Sequence, residues 1–256
     1  MRQNYLTKAI IGILALLGLG VGVYFLYGTG AVDEPQISVE DVPLIERTEL
    51  YAVDAAYPRF IGVSEQFNAA IETTAVGLWN EFKKMTEENW IARIETMPEG
   101  DDVFESPEEP FEFSLSYEIT QLSDEYISLV FLYGGYPAGG AHGYASVSTL
   151  TYDVSEGRTV ALGDIFASDP DYLVTLSTYV EDELVRQMQE RFDISEAEVD
   201  TDWIRRGAGP KNANYINFTL SEASVIVYFS PYQVAPYAAG MFIVEVPLSL
   251  FTTQDQ

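Results

Sequence analysis

The residues with most chemical potential sit in positions 133–143, YGGYPAGGAHG. Five glycines and one proline crowd these eleven residues, and the only histidine of the chain, His142, lies among them. Glycine is used where backbone takes φ > 0 or comes close to another group. Gly139, Gly140, Ala141, His142 and Gly143 could therefore present backbone N–H groups to an anion or a peptide. A β-connection or wide bulge whose glycines solve a local steric problem explains the same letters. The loop has no Lys followed by Ser or Thr and no strand-to-helix setting, so it is not a nucleotide loop. His142 is the one side chain that titrates near neutrality without perturbation.

A second candidate is positions 228–240, YFSPYQVAPYAAG. Tyr232 and Tyr237 flank Pro236, and aromatic rings on a stiff irregular segment make good binding anchors. They serve equally well to close the end of a sheet. Catalysis has less support. No GxSxG elbow is present, and any Ser–His–Asp set would have to use His142. One histidine and no cysteine cannot supply a zinc site, so neither a metal nor another cofactor is expected. Paired carboxylates are abundant, but with 40 acids proximity arises by chance. Asp101, Asp102, Glu105, Glu108 and Glu109 lack the alternating ligands of an EF-hand and read as a solvated loop. The chain is read as non-catalytic, with a wall-directed hydrolase as the alternative and a structural envelope scaffold as a second.

Periodicity defines the elements that must position these groups. Positions 49–57 alternate as a strand, which Pro58 and Gly62 interrupt. Ser64 is a good N-cap, and Phe67, Ile71, Ala75, Leu78 and Phe82 follow at spacings of three and four, predicting a helix that ends near Glu88. Positions 111–119 alternate as FEFSLSYEI. Positions 126–133, YISLVFLY, are nearly all apolar and predict a central strand; positions 145–154 predict another. A second helix follows Pro170, with Leu173, Leu176, Val180, Leu184 and Met188 as its stripe. Strands return over 215–220, 225–230 and 241–246. Such segregated runs predict an α+β fold, an antiparallel sheet with two main helices packed on it.

Positions 9–27, AIIGILALLGLGVGVYFLY, carry no charge. At about 1.5 Å per residue they match a bilayer core of about 30 Å. Arg2 and Lys8 precede this run, so the expected topology is a cytoplasmic stub over 1–8, a transmembrane helix over 9–27, and an extracytoplasmic remainder over 32–256. A cleaved signal segment would instead release a secreted product. Positions 28–47 read as a stalk linker. All 40 acidic residues follow the anchor, with only 11 of the 13 Lys and Arg, which leaves −29 outside. Nucleic acid is excluded as a partner by sign, whereas cationic proteins are attracted.

GGAHG after YISLVFLYGGY, then YDVSEGRTVALGDIF, then SPYQVAPYAAGMFIVEVPLSLF resemble the RsiV/PdaC-type extracytoplasmic domain family. Upstream, YAVDAAYPRFIGVSEQFNAAI and NEFKKM resemble the small domain that precedes it in that family. The resemblance implies two intimately packed subdomains, a PdaC-like one over 48–110 and an RsiV-like one over 111–256. It implies a sensing or binding module on a membrane stem, with a lysozyme-like cationic protein or a peptidoglycan fragment as partner. The stub is too short for a cytoplasmic partner-binding segment, and a separate catalytic domain is not seen.

Overall fold

The computed structural model describes residues 37–97, 107–138 and 142–251. The stub, the proposed transmembrane run and most of the acidic loop lie outside them. Among the described residues no helix is long and apolar enough to cross a membrane.

Two sheets organise the chain. The larger has six strands in sequential order: β1 (Ser38–Arg47), β2 (Tyr51–Ile61), β3 (Phe111–Leu122), β4 (Tyr126–Gly135), β5 (Tyr144–Asp153) and the two-residue β6 (Arg158–Thr159). The smaller has β7 (Phe218–Leu220), β8 (Ser224–Phe229) and β9 (Phe242–Pro247). Helix α1 (Glu65–Glu95) covers the larger sheet. Helices α2 (Leu162–Ile165), α3 (Tyr172–Phe192) and α4 (Thr201–Ala208) belong with the smaller one. The fold is α+β, as expected, but with three departures.

First, the stalk reading fails over 38–47. SVEDVPLIER is an edge strand paired along its whole length with β2. Its acids and Pro43 are the usual protection of a sheet edge against foreign strands. Second, the sheet is mixed. β2 and β3 run parallel over Tyr51–Val53 and Phe111–Phe113, with α1 as the crossover between them. Pro58 stays inside β2 because β3 has already diverged there, so no ladder on that side needs its missing N–H. Third, a division at 110/111 would cut the larger sheet. The architectural break falls after β6, near residue 160.

Ser64 caps α1 by accepting from the Phe67 N–H at 3.3 Å, and the helix runs past Glu88 to Glu95. Phe67, Ile71, Ala75, Trp79 and Phe82 lie buried against Phe113, Leu115, Ile127, Leu129 and Phe131. Glu46 ties β1 to this helix, accepting from Trp79 Nε1 at 2.9 Å and Lys83 Nζ at 3.0 Å. A second core joins Leu176, Val180 and Leu184 of α3 to Val225, Val227, Val244 and Val246.

The all-apolar pattern of β4 now has its reason. Ile127, Leu129 and Phe131 face α1, while Val130 turns to the other side and meets Val147 and Tyr228 at the junction of the sheets. The junction is also polar. Ser128 Oγ, wholly buried, bonds Thr151 Oγ1 at 2.8 Å and accepts from Leu220 N–H at 3.1 Å. Thr149 Oγ1 accepts from Phe218 N–H at 3.0 Å.

Two predictions follow from these contacts. Ser128→Ala strips the partner from a buried N–H and should cost about 1–3 kcal/mol, read as a lower urea midpoint. The Glu46 carboxyl is held below its ordinary pKa by the Trp79 N–H first and by Lys83 next. A depressed carboxylate adds stability above its unfolded-state pKa, about 4.3, and that increment is lost as pH falls through the folded value. Glu46→Gln should therefore be less stable than the parent near neutrality, and the gap should close as the pH falls below about 4.

Candidate functional site

The two segments singled out by composition meet in space. The His142 ring stacks on Tyr237, with centroids 4.2 Å apart and planes at 25°. Tyr232 lies against the same Tyr237, with centroids 5.4 Å apart. The Tyr237 hydroxyl donates to the Gly143 carbonyl, and His142 Nδ1 lies 2.8 Å from that same oxygen. A carbonyl only accepts, so this contact requires Nδ1 to carry hydrogen. The second nitrogen, Nε2, has no hydrogen-bond partner among the described residues. Gly139, Gly140 and Ala141 lie outside the described residues. Burial first, then Tyr232, raises the Tyr237 hydroxyl pKa, so it stays a neutral donor.

Each glycine of the motif resolves differently. A Cβ at Gly134 would meet Tyr144 O at 2.2 Å, and one at Gly135 would meet Phe82 Cε2 at 2.6 Å. These two serve packing. A Cβ at Gly143 would lie 3.1 Å from Gly135 O and 3.4 Å from Tyr136 Cδ2, which places the half-exposed Tyr136 ring beside the platform.

Tyr232 is 58% exposed and has φ of 72°. A bulky side chain at positive φ is a strained backbone. Its neighbours impose that conformation. Trp203 Nε1 of α4 donates to Tyr232 O at 3.1 Å. Gln233 Nε2 donates to Gly207 O at 3.1 Å and to Asn214 O at 2.9 Å. Gly207 is required here, since a Cβ would sit 2.0 Å from Gln233 O. On the far side of the segment, Arg191 of α3 donates to Ala239 O and to Met241 O, and its guanidinium lies 3.9 Å over Phe242. Ser146 and Ser230 hydroxyls, 2.9 Å apart, join β5 to the start of the segment. Tyr136 and Gln233 lie inside the two marked segments without being singled out there, and Arg191 and Trp203 lie outside both. A tryptophan on a short helix gives no local sign of a distant carbonyl it will hold.

The platform lies at the surface, where Tyr232 and Tyr136 are both exposed. Concavities lie elsewhere, one of about 710 Å³ at the sheet junction beside Thr149, Val160, Tyr215 and Ile216, another of about 550 Å³ between α3 and β9. Among the described residues no cluster of three His, Cys, Asp or Glu is arranged to hold a metal ion.

Family models match both halves of the chain: "Deacetylase PdaC" over residues 45–145 and "Protein of unknown function (DUF3298)" over 163–249. Together these matches support a PdaC/DUF3298-type domain family. The chain is 32% identical over 139 residues to the peptidoglycan-N-acetylmuramic acid deacetylase PdaC of Bacillus subtilis (strain 168), covering 54% of this chain and 28% of that protein. It is 28% identical over 112 residues to the immunogenic protein MPT64 of Mycobacterium tuberculosis, covering 44% and 45%. The chain thus spans less than half the length of these curated relatives. The crystal structure of a DUF3298 family member from Bacteroides fragilis shares its fold, with a TM-score of 0.55 at 16% identity over 85% of this chain and 92% of that one.

The platform lies where the two family matches meet. The PdaC-type match ends at residue 145, so it supplies His142; the DUF3298 match supplies Tyr232 and Tyr237. Positive φ costs a side-chain-bearing residue about 1–2 kcal/mol, most for β-branched ones. Tyr232→Gly should therefore be more stable than Tyr232→Val by about 1–2 kcal/mol, reversing the usual order for an apolar replacement. Thermal unfolding of the two variants measures the difference.

Proposed function

We propose that this chain is a non-catalytic binding module of the cell envelope. In this reading residues 9–27 anchor it with the N-terminus cytoplasmic and residues 32–256 outside. The His142–Tyr232–Tyr237 platform then recognises a cationic, lysozyme-like protein or a peptidoglycan fragment. The observation that carries the reading is the platform itself. Two segments some ninety residues apart in the chain put three rings together at the surface, one of them on strained backbone. Strain retained at an exposed ring suits a contact made to something outside the chain. The setting in the envelope rests on the likeness to a peptidoglycan deacetylase over 54% of this chain.

A group of stacked and tilted rings at the surface, beside backbone carbonyls, suits contact with a polymer or protein. His142 commits its Nδ1 to the Gly143 carbonyl. Calorimetric titration of the full chain with lysozyme and with muropeptides tests the proposal. One of the two should bind, and the combined Tyr232→Gly, Tyr237→Phe variant should lose at least about tenfold in affinity, which is 1.4 kcal/mol. No heat from either ligand at millimolar concentration removes the proposal. Glycan turnover that vanishes in His142→Ala would replace binding by catalysis.

A further inference from the structure

Helix α3 runs beside the free edge of β9, and the two repeats match. Four residues of helix rise about 6 Å, and two residues of strand about 6.8 Å. Leu248 N–H donates to Ala223 O at 2.8 Å, which sets the alternation of the ladder with β8. Phe242, Val244 and Val246 therefore turn their backbone groups to β8, while Met241, Ile243 and Glu245 turn theirs outward. The helix answers this edge at every fourth residue. Arg191 donates to Met241 O at 3.0 Å, and Gln187 Nε2 donates to Ile243 O at 2.9 Å. The third rung differs. Glu183 stands where a donor is due, and its oxygens already accept from Arg186 and Gln187.

Glu245 thus keeps an outward N–H and carbonyl without a partner among the described residues, and its exposed carboxylate pairs with no cation among them. The groove of about 550 Å³ opens at this rung, with Tyr179, Glu183, Gln187, Ile243, Glu245 and Pro247 among its walls. The Ile243 side chain there is 47% exposed. At the Met241 end stands a cation without an anion. Arg191 uses only Nη1 for Ala239 O and Met241 O, and its Cζ lies 3.9 Å from the centre of the Phe242 ring. Its Nε–Nη2 side has no partner among the described residues. That side is the fork through which a guanidinium takes a carboxylate by two bonds.

We propose that this groove binds the C-terminal end of an extended polypeptide, added to β9 as an antiparallel strand with its terminal carboxylate on Arg191. Orientation follows from the cation. β9 runs from Phe242 to Pro247, so an antiparallel strand runs toward Met241 and ends beside Arg191. One residue of it exchanges both main-chain bonds with Glu245. Ile243 offers its N–H, its carbonyl being held by Gln187. Side chains directly opposite share a face. The residue opposite Glu245 is therefore basic, and the one two places on, opposite Ile243, is apolar. The ligand class is basic–x–apolar–x–carboxylate. Charge opposes a second copy of this chain as occupant, since each copy carries −27. The site is separate from the aromatic platform and does not rest on it.

The probe is acetyl-Ala-Lys-Thr-Val-Thr with a free C-terminus, titrated into the full chain beside its C-terminal amide. The free acid should bind, and the amide should bind at least about tenfold more weakly, because a charge-assisted contact is lost. Arg191→Gln should bind the two forms alike. Glu245→Pro removes an N–H that points away from the sheet, so the fold should hold while both peptides lose binding. Glu245→Lys should reverse the side-chain preference, favouring acetyl-Ala-Glu-Thr-Val-Thr. Tyr232→Gly should leave peptide binding unchanged.

Other outcomes overturn the assignment. If the amide binds as tightly as the acid, Arg191 does not hold a carboxylate. If Glu245→Pro keeps full affinity with its thermal unfolding unchanged, the peptide does not add to β9. If sedimentation shows a dimer that Glu245→Pro dissolves, the occupant is a second copy. If neither peptide binds at millimolar concentration, the groove takes no such terminus. Loss of binding in Tyr232→Gly but not in Glu245→Pro puts the peptide on the platform instead.

Discussion

Two hydroxyls fix how the halves of this molecule meet. β7 is the edge of the smaller sheet, so its outward N–H groups have no strand to bond, and they are buried against the larger sheet. Thr149 takes Phe218 and Ser128 takes Leu220. A buried donor left unpaired costs about as much as a lost hydrogen bond, so the larger sheet must offer a hydroxyl at each alternate position. Strand period two places Thr149 and Thr151 on the same face of β5, and register puts Ser128 opposite Thr151. A slip of one residue would turn apolar or opposite-face side chains to that edge. The apolar contact of Val130, Val147 and Tyr228 adds area at the junction, but the hydroxyls set the register.

The platform inherits its geometry from that junction. His142 precedes β5 by two residues, and Tyr232 and Tyr237 lie between β8 and β9. Neither half holds all three rings. The Ser146–Ser230 contact and the Tyr237 bond to Gly143 are then short-range consequences of a docking already determined at Ser128 and Thr149.

What sequence made legible followed strength of pattern. α1 was readable because its stripe continues over five turns, and β4 because its apolar run is covered on both faces. β1 was not, because an edge strand buries only alternate residues partially and carries Pro43 and acids that also mark a linker. The parallel pairing of β2 with β3 spans three residues on each strand, too short to leave a pattern, and it moved the division of the chain from 110/111 to beyond β6. At the site, glycine, proline and aromatic density marked two segments that the fold brings into contact. The His142–Tyr237 stack and the positive φ of Tyr232 were hidden, since both are products of distant groups.

The strain at Tyr232 also explains why the surrounding contacts are so numerous. A residue between prolines, with no regular ladder of its own, would relax to negative φ if left alone. Trp203 holds its carbonyl, Gln233 binds two more carbonyls on α4 and beyond, and Gly207 removes the side chain that would keep α4 away. Arg191 fixes the other end through Ala239 and Met241, and its desolvation lowers its pKa, since among the described residues no carboxylate pairs with it. A segment needed only to close a sheet could relax into unstrained backbone. These contacts, drawn from two helices and from the segment itself, hold one ring outward instead.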